Sequence, residues 1–184
     1  MSTQFFNLDF FGLQRKLPLT FISSKLMIAN FNILGDVELT EKAGEKLEKV
    51  LSEKGITPDC FVGPEVKVVP FIHHMAKRFG HKRYVILRKS VKGYMNNPHI
   101  EYPWATSPKH VKKLVMSLSD KEYLTGKKVV LIDDVVSTGA TMELLMNMMA
   151  KIGVNVLAEC AIFKQGDRYK GEIINLSILP VFTK

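Results

Sequence analysis

The chain has 184 residues, 46% hydrophobic and 24% charged, with 26 Lys plus Arg against 18 Asp plus Glu for a formal charge of +8. That length fits one domain with its own core, and the composition excludes a disordered, fibrous or low-complexity chain. The positive balance favours anionic partners; because the charges are spread along the chain and not gathered into an arm or stripe, a polyphosphate metabolite is expected ahead of nucleic acid.

At the N-terminus Phe5, Phe6, Phe10 and Phe11 are interrupted by Asn7 and Asp9 and follow no basic segment, so the stretch does not read as a signal peptide. The longest apolar runs, such as residues 129–132, fall far short of the roughly 18 residues that a membrane-spanning helix needs. A soluble, cytoplasmic protein is expected, with no membrane partner and with Cys60 and Cys160 as reduced thiols in buried strands. Asn175-Leu176-Ser177 spells a glycosylation sequon that has no consequence in that compartment.

Thr40 reads as a helix N-cap, with Glu41 in the first turn, Ala43, Leu47, Val50 and Leu51 at helical spacing and Gly55 as the stop. Asp59-Cys60-Phe61-Val62, closed by Gly63-Pro64, predicts a buried strand. A second helix is predicted over residues 69–79 and a second strand over 84–87. From 89 to about 112 the periodicity disappears, and Gly93, Asn96, Asn97, Pro98, Pro103 and Pro108 mark a long functional loop. A strand at 129–132, a helix at 139–152 whose methionines (Met142, Met146, Met148, Met149) fill core space, and a strand at 154–163 complete the alternation. The fold class is therefore α/β, a central parallel sheet flanked by helices, with ligands at the carboxyl ends of the strands.

The informative segment is Val129-Val130-Leu131-Ile132-Asp133-Asp134-Val135-Val136-Ser137-Thr138-Gly139-Ala140-Thr141. Four apolar residues bury the strand, two carboxylates follow at its end, and a hydroxyl-rich turn opens a helix. At a helix N-terminus, unpaired N–H groups and the macrodipole favour a phosphate, and Gly139 lets the backbone approach it. Carboxylates repel phosphate but accept strong hydrogen bonds from vicinal sugar hydroxyls, so the pattern suits a ribose 5-phosphate. It is distinct from the Gly-x-x-x-x-Gly-Lys-Ser/Thr loop of nucleotide hydrolases.

This run resembles the signature by which type I phosphoribosyltransferases bind PRPP (5-phosphoribosyl 1-pyrophosphate). The resemblance implies that Asp133 and Asp134 hold the ribose hydroxyls and that Val135, Val136, Ser137, Thr138, Gly139, Ala140 and Thr141 form the 5-phosphate loop. It implies a pyrophosphate site from Glu65, Val66 and Lys67, after Gly63-Pro64, with Arg88 and Lys89 at the end of the next strand; the first of these loops departs from the commoner small-residue and Arg-Gly forms. Residues 89–112 correspond to the flexible loop that closes over the site. There Glu101 stands for the loop glutamate of adenine-type enzymes and Lys109, with His110, is similar to the lysine and histidine of orotate enzymes.

The hood over the base is expected largely from residues 1–38 and the C-terminal segment of a single 1–184 domain, with Asn30 and Phe31 reading the base. Phe163-Lys164-Gln165-Gly166-Asp167 and Leu179-Pro180-Val181-Phe182 resemble adenine phosphoribosyltransferase relatives, which tilts the base toward a purine. Xanthine, hypoxanthine, guanine or orotate as the base, or a non-catalytic PRPP-binding regulator, stay open. The family implies Mg²⁺ carried mainly by PRPP, with no direct protein ligands, and a homodimer. His73-His74 is not read as a metal site, because adjacent side chains lie about 100° apart around a helix.

Overall fold

A computed structural model of the chain describes residues 4–107 and 111–183. In chain order the elements are β1 (Phe5–Phe10), β2 (Leu13–Ser23), β3 (Leu26–Ala29), α1 (Val37–Glu53), β4 (Cys60–Pro64), α2 (Val69–Arg78), β5 (Val85–Leu87), β6 (His99–Glu101), β7 (Leu114–Met116), α3 (Leu118–Leu124), β8 (Lys128–Val136), α4 (Ala140–Lys151), β9 (Asn155–Gln165), β10 (Ile174–Leu179) and β11 (Val181–Thr183). Five strands form the central sheet in the order β10-β9-β8-β4-β5, every neighbouring pair parallel. The expected α/β architecture is thus present, and the strand that ends in Gly63-Pro64 does lie beside the motif strand.

The alternation of side chains along β8 explains why this sheet has two covered faces. Val130 and Ile132 pack with Leu39 and Leu47 of α1 and Phe71 and Ile72 of α2. Val129 and Leu131 point the other way, into Leu124 of α3 and Met142, Leu145, Met148 and Met149 of α4. Both faces are dry, so the strand reads as a continuous apolar run instead of an alternating one. Each such side chain contributes about 1.5–3 kcal/mol by leaving water. The two cysteines, neither in a disulfide, sit on opposite faces, Cys160 with the α1 and α2 layer and Cys60 with the α3 and α4 layer. Burial pushes their thiols up to about 12 and about 11.

Helix α1 begins earlier than Thr40. Asp36 is the cap, its carboxylate accepting from the Leu39 N–H at 3.1 Å, while the Thr40 hydroxyl donates to the Asp36 carbonyl at 2.7 Å inside the first turn. The same carboxylate takes the Nε of Arg15, from β2, at 2.7 Å, and the guanidinium holds Asp36 below the usual carboxylate range. One residue therefore caps the helix and ties an outer strand to it.

The outer strands form a second, antiparallel sheet in the order β1-β2-β3-β11. Phe11 and Gly12 turn β1 into β2 with φ of 50° and 88°, the double left-handed conformation that keeps the twist of a tight hairpin. The two sheets meet at Phe163, whose ring lies 5.3 Å from that of Phe10 and 4.6 Å from that of Phe31. Nearby, the buried Gln165 amide donates to the Ala29 carbonyl at 3.0 Å.

The expectation of a structureless segment from 89 to 112 needs correction. β6 pairs antiparallel with β7, and Val115 of β7 exchanges two backbone hydrogen bonds with Arg88, at 2.7 and 2.8 Å. β6 is only His99–Glu101, an apolar residue between two polar ones, which is too short and too mixed to show a period. Helix α3 was also missed, although Ser117 caps it by accepting from the Asp120 N–H at 3.1 Å.

Candidate functional site

At the carboxyl end of β8 the chain passes from Val136 through Ser137 and Thr138 to Gly139, the N-cap of α4. Gly139 has φ 82°, and a Cβ built on it would overlap the ring of Tyr169; glycine is required on both counts. The turn lines a small cup of about 80 Å³ together with Asp133, Val111 and Met142. The cup sits on the first N–H groups of α4, the end of a helix that attracts anions. Every residue expected in the 5-phosphate loop lies along it.

The two carboxylates at its edge are 9% and 5% exposed. Asp133 lines the cup, and Asp134 Oδ2 lies 3.0 Å from Nζ of Lys67. Burial, and then the adjacent charge of Asp134, push the Asp133 carboxyl well above the ordinary range. The pair thus resists carrying two negative charges at once. Ligand hydroxyls and cations arriving at Asp133 favour its ionised form.

Lys67 reaches Asp134 because β4 runs close to β8. A Cβ on Gly63 would overlap the carbonyl oxygen of Ile132, so only glycine permits the approach. The Glu65–Val66 peptide that follows is cis. The Lys67 ammonium also donates to the carbonyl of Phe31 at 3.2 Å, so one cation joins this loop, the carboxylate pair and the segment entering α1.

Glu65, expected among the pyrophosphate ligands, is engaged by the end of β5. Its carboxylate holds Arg88 Nε at 2.9 Å and accepts from the Lys89 N–H at 2.7 Å. A carboxylate repels an anion, but here it ties the backbone at the end of β5 and the Arg88 guanidinium to the loop. Val66 is 58% exposed and offers its backbone only.

Two further expectations change, at Phe31 and Glu101. Phe31 cannot stack on a base in this arrangement, since its ring is 4% exposed and packed edge-on to Phe163; Asn30 beside it is exposed. Glu101 lies on β6, buried, with Lys151 Nζ at 2.7 and 2.9 Å from its two carboxylate oxygens. Lys151 is the last residue of α4 and Ala140 the first, so that ion pair stands about 16 Å along the helix from the cup. The structure does not bring Glu101 to Asp133 and Asp134. Lys109 lies outside the described residues.

A cleft of about 280 Å³ opens between the two sheets. Ser137 forms one wall, Ile22, Leu26 and Ile28 another, and Gln165, Asp167 and Arg168 a third. None of the last three was singled out as a site residue, although a polar run around Gly166 at the end of a buried strand is a usable signal. The cleft shares Ser137 with the cup, so a ligand anchored by its phosphate in the cup can extend toward it. Among the described residues no three His, Cys, Asp or Glu side chains are gathered to hold a metal ion. Nor is any helix there long and apolar enough to cross a membrane.

The family model described as a phosphoribosyl transferase domain matches residues 32–177. A hypoxanthine/guanine phosphoribosyltransferase of Methanobrevibacter ruminantium is 36% identical over 62 residues, covering 34% of this chain and 33% of the relative. The chain thus matches about a third or less of the length of its curated relatives. Among solved structures, adenine phosphoribosyltransferase from Thermoanaerobacter pseudethanolicus superposes with TM-score 0.64 at 20% identity, covering 95% of each chain. The enzyme from Saccharomyces cerevisiae, complexed with adenine and an imino-altritol bisphosphate, gives 0.65 at 16% identity, covering 94% of this chain and 93% of the other. At such identities the likeness is one of fold.

Proposed function

Because this chain belongs to the phosphoribosyltransferase family, we propose that it transfers the 5-phosphoribosyl group of PRPP to a purine base, adenine favoured, with release of pyrophosphate. The observation that carries this reading is the pair of buried carboxylates leading directly into an anion cup at the end of β8. Sugar hydroxyls donate to Asp133 and Asp134, and the N–H groups of the turn hold the 5-phosphate. Lys67, with Arg88 and Lys89, faces the pyrophosphate. As the bond from ribose C1 loosens, positive charge grows on the sugar and negative charge on the leaving group. The fixed carboxylates and basic side chains match that separation without reorganising.

The carboxylate pair suits Mg²⁺ that takes most of its ligands from PRPP and water; bound so, the ion would add positive charge beside the leaving pyrophosphate. The antiparallel sheet serves as the hood of a single domain, and the cleft lined by Ser137, Gln165 and Asp167 receives the base. The segment after β5 covers the site and excludes water from the ribosyl cation. The active form is a homodimer.

A second reading, hypoxanthine or guanine as the base, is favoured by the names of the curated relatives. Labelled PRPP with Mg²⁺ and a panel of adenine, hypoxanthine, guanine, xanthine and orotate separates the cases. Adenine is expected to turn over fastest. Turnover confined to another base replaces the substrate, and binding without turnover on any base makes the protein a PRPP-dependent regulator. No heat on titrating PRPP with Mg²⁺ into the protein overturns the proposal.

A further inference from the structure

Behind the 5-phosphate turn stands a side chain that none of these roles uses. Tyr169, on the connection from β9 to β10, is 8% exposed and packs with Val136, Ala140 and Met142. Its ring lies flat enough on Gly139 to leave no room for a Cβ there, and its hydroxyl end does the same at Gly171. The hydroxyl donates to Oε2 of Glu159 on β9. Burial and that bond push its pKa up, so the hydroxyl keeps its proton and stays a donor.

The turn has little else to hold it. No side chain caps α4, and Thr138 Oγ1 lies a long 3.4 Å from the Ala140 N–H. A plain filler of this space would need no hydroxyl and no carboxylate partner. The tyrosine and glutamate together fix the ring along its own axis, and the ring fixes Gly139.

We propose that Tyr169, anchored by Glu159, is a positioning residue that sets the orientation of the phosphate turn and so the affinity for the sugar 5-phosphate. The inference rests on the phosphoribosyl reading of the site. Displacing binding groups by about 1 Å costs about 10²-fold in enzymes whose groups act by position, so the brace has a large effect to exert.

Calorimetry with ribose 5-phosphate and steady-state kinetics with PRPP test it. Tyr169→Phe keeps the ring and loses the anchor. The Kd for ribose 5-phosphate and the KM for PRPP should each rise by about tenfold, the scale of one hydrogen bond to a charged group. kcat and the KM for the base should stay within about twofold. Glu159→Ala should reproduce this, Glu159→Gln, whose amide oxygen still accepts the hydroxyl, should retain wild-type affinity, and Tyr169→Phe with Glu159→Ala should be no worse than either alone.

Variants that melt earlier but bind ribose 5-phosphate like the wild type overturn the inference, as does a loss confined to kcat. Wild-type protein that binds neither PRPP nor ribose 5-phosphate refutes the phosphoribosyl reading and this inference with it. Wild-type binding that the variants share refutes the brace alone.

Discussion

The turn after β8 and the segment after β5 differ in what holds them. The turn leaves a nine-residue strand covered on both faces, rests on Tyr169, and carries carboxylates that are 9% and 5% exposed. The segment contains the three-residue β6 and leaves Tyr94, Tyr102 and Trp104 at 71%, 64% and 66% exposure. Local stability follows the density of buried contacts. One region is therefore organised before any ligand arrives, and the described part of the other leaves three large rings to solvent. Preorganisation has a cost of its own, because Asp133 sits where its ionised form is disfavoured. An anion site built this way gives up some stability for readiness.

The contrast is broken most severely at the acids. Asp134→Asn should lower turnover by about 10²-fold or more; unchanged turnover would move the chemistry away from β8. Asp133→Asn should be similarly inactive yet melt higher than the wild type at pH 8. The raised carboxyl of Asp133 means that its contribution to stability is greatest in acid and is lost as pH rises through its folded pKa. The difference in melting temperature between wild type and Asp133→Asn should accordingly widen from pH 5 to pH 8.

Gly139→Ala comes next. The left-handed φ of 82° and the Tyr169 ring both oppose a Cβ, for a loss of about 1–3 kcal/mol of stability and a weaker grip on PRPP, measured by urea unfolding and by KM.

Away from the site, burial lowers the pKa of His74 and His81. The folded state then takes up fewer protons than the unfolded one, so stability is full above the ordinary histidine pKa of about 6.5 and is lost as pH falls below it. Urea midpoints in the Asp133→Asn background, free of the opposite trend, should fall between pH 7 and pH 5; a flat profile would contradict the burial. The smallest effect is expected at Glu101→Gln, with turnover within about threefold of wild type. A loss of about 10²-fold would carry the segment's ion pair into the chemistry and erase the distinction between the two regions.

What was legible followed the same division. The strand before Asp133 announced itself because both faces are covered. The carboxylates and the turn were readable because a strand end, two acids and a helix start are contiguous in sequence. The antiparallel sheet was not read as strands: its first hairpin turns on Phe11-Gly12, where Asn-Gly is the recognisable signal. Phe31 suggested a stacking platform, yet whether an aromatic ring faces a cleft or the core depends on packing partners such as Phe163, 132 positions later in the chain. Glu101 was misplaced for a related reason, since its partner Lys151 is 50 positions away. Tyr169 gave no signal because its role exists only once distant segments meet.

Cys60 and Cys160 offer a use that their packing alone makes available. Each thiol is sealed under a different helical layer, and only as thiolate does a cysteine attack a disulfide reagent. Modification therefore has to wait for the layer above to lift. Paired single-cysteine variants would act as two clocks, one for each side of the sheet, timing separately how often the molecule breathes open.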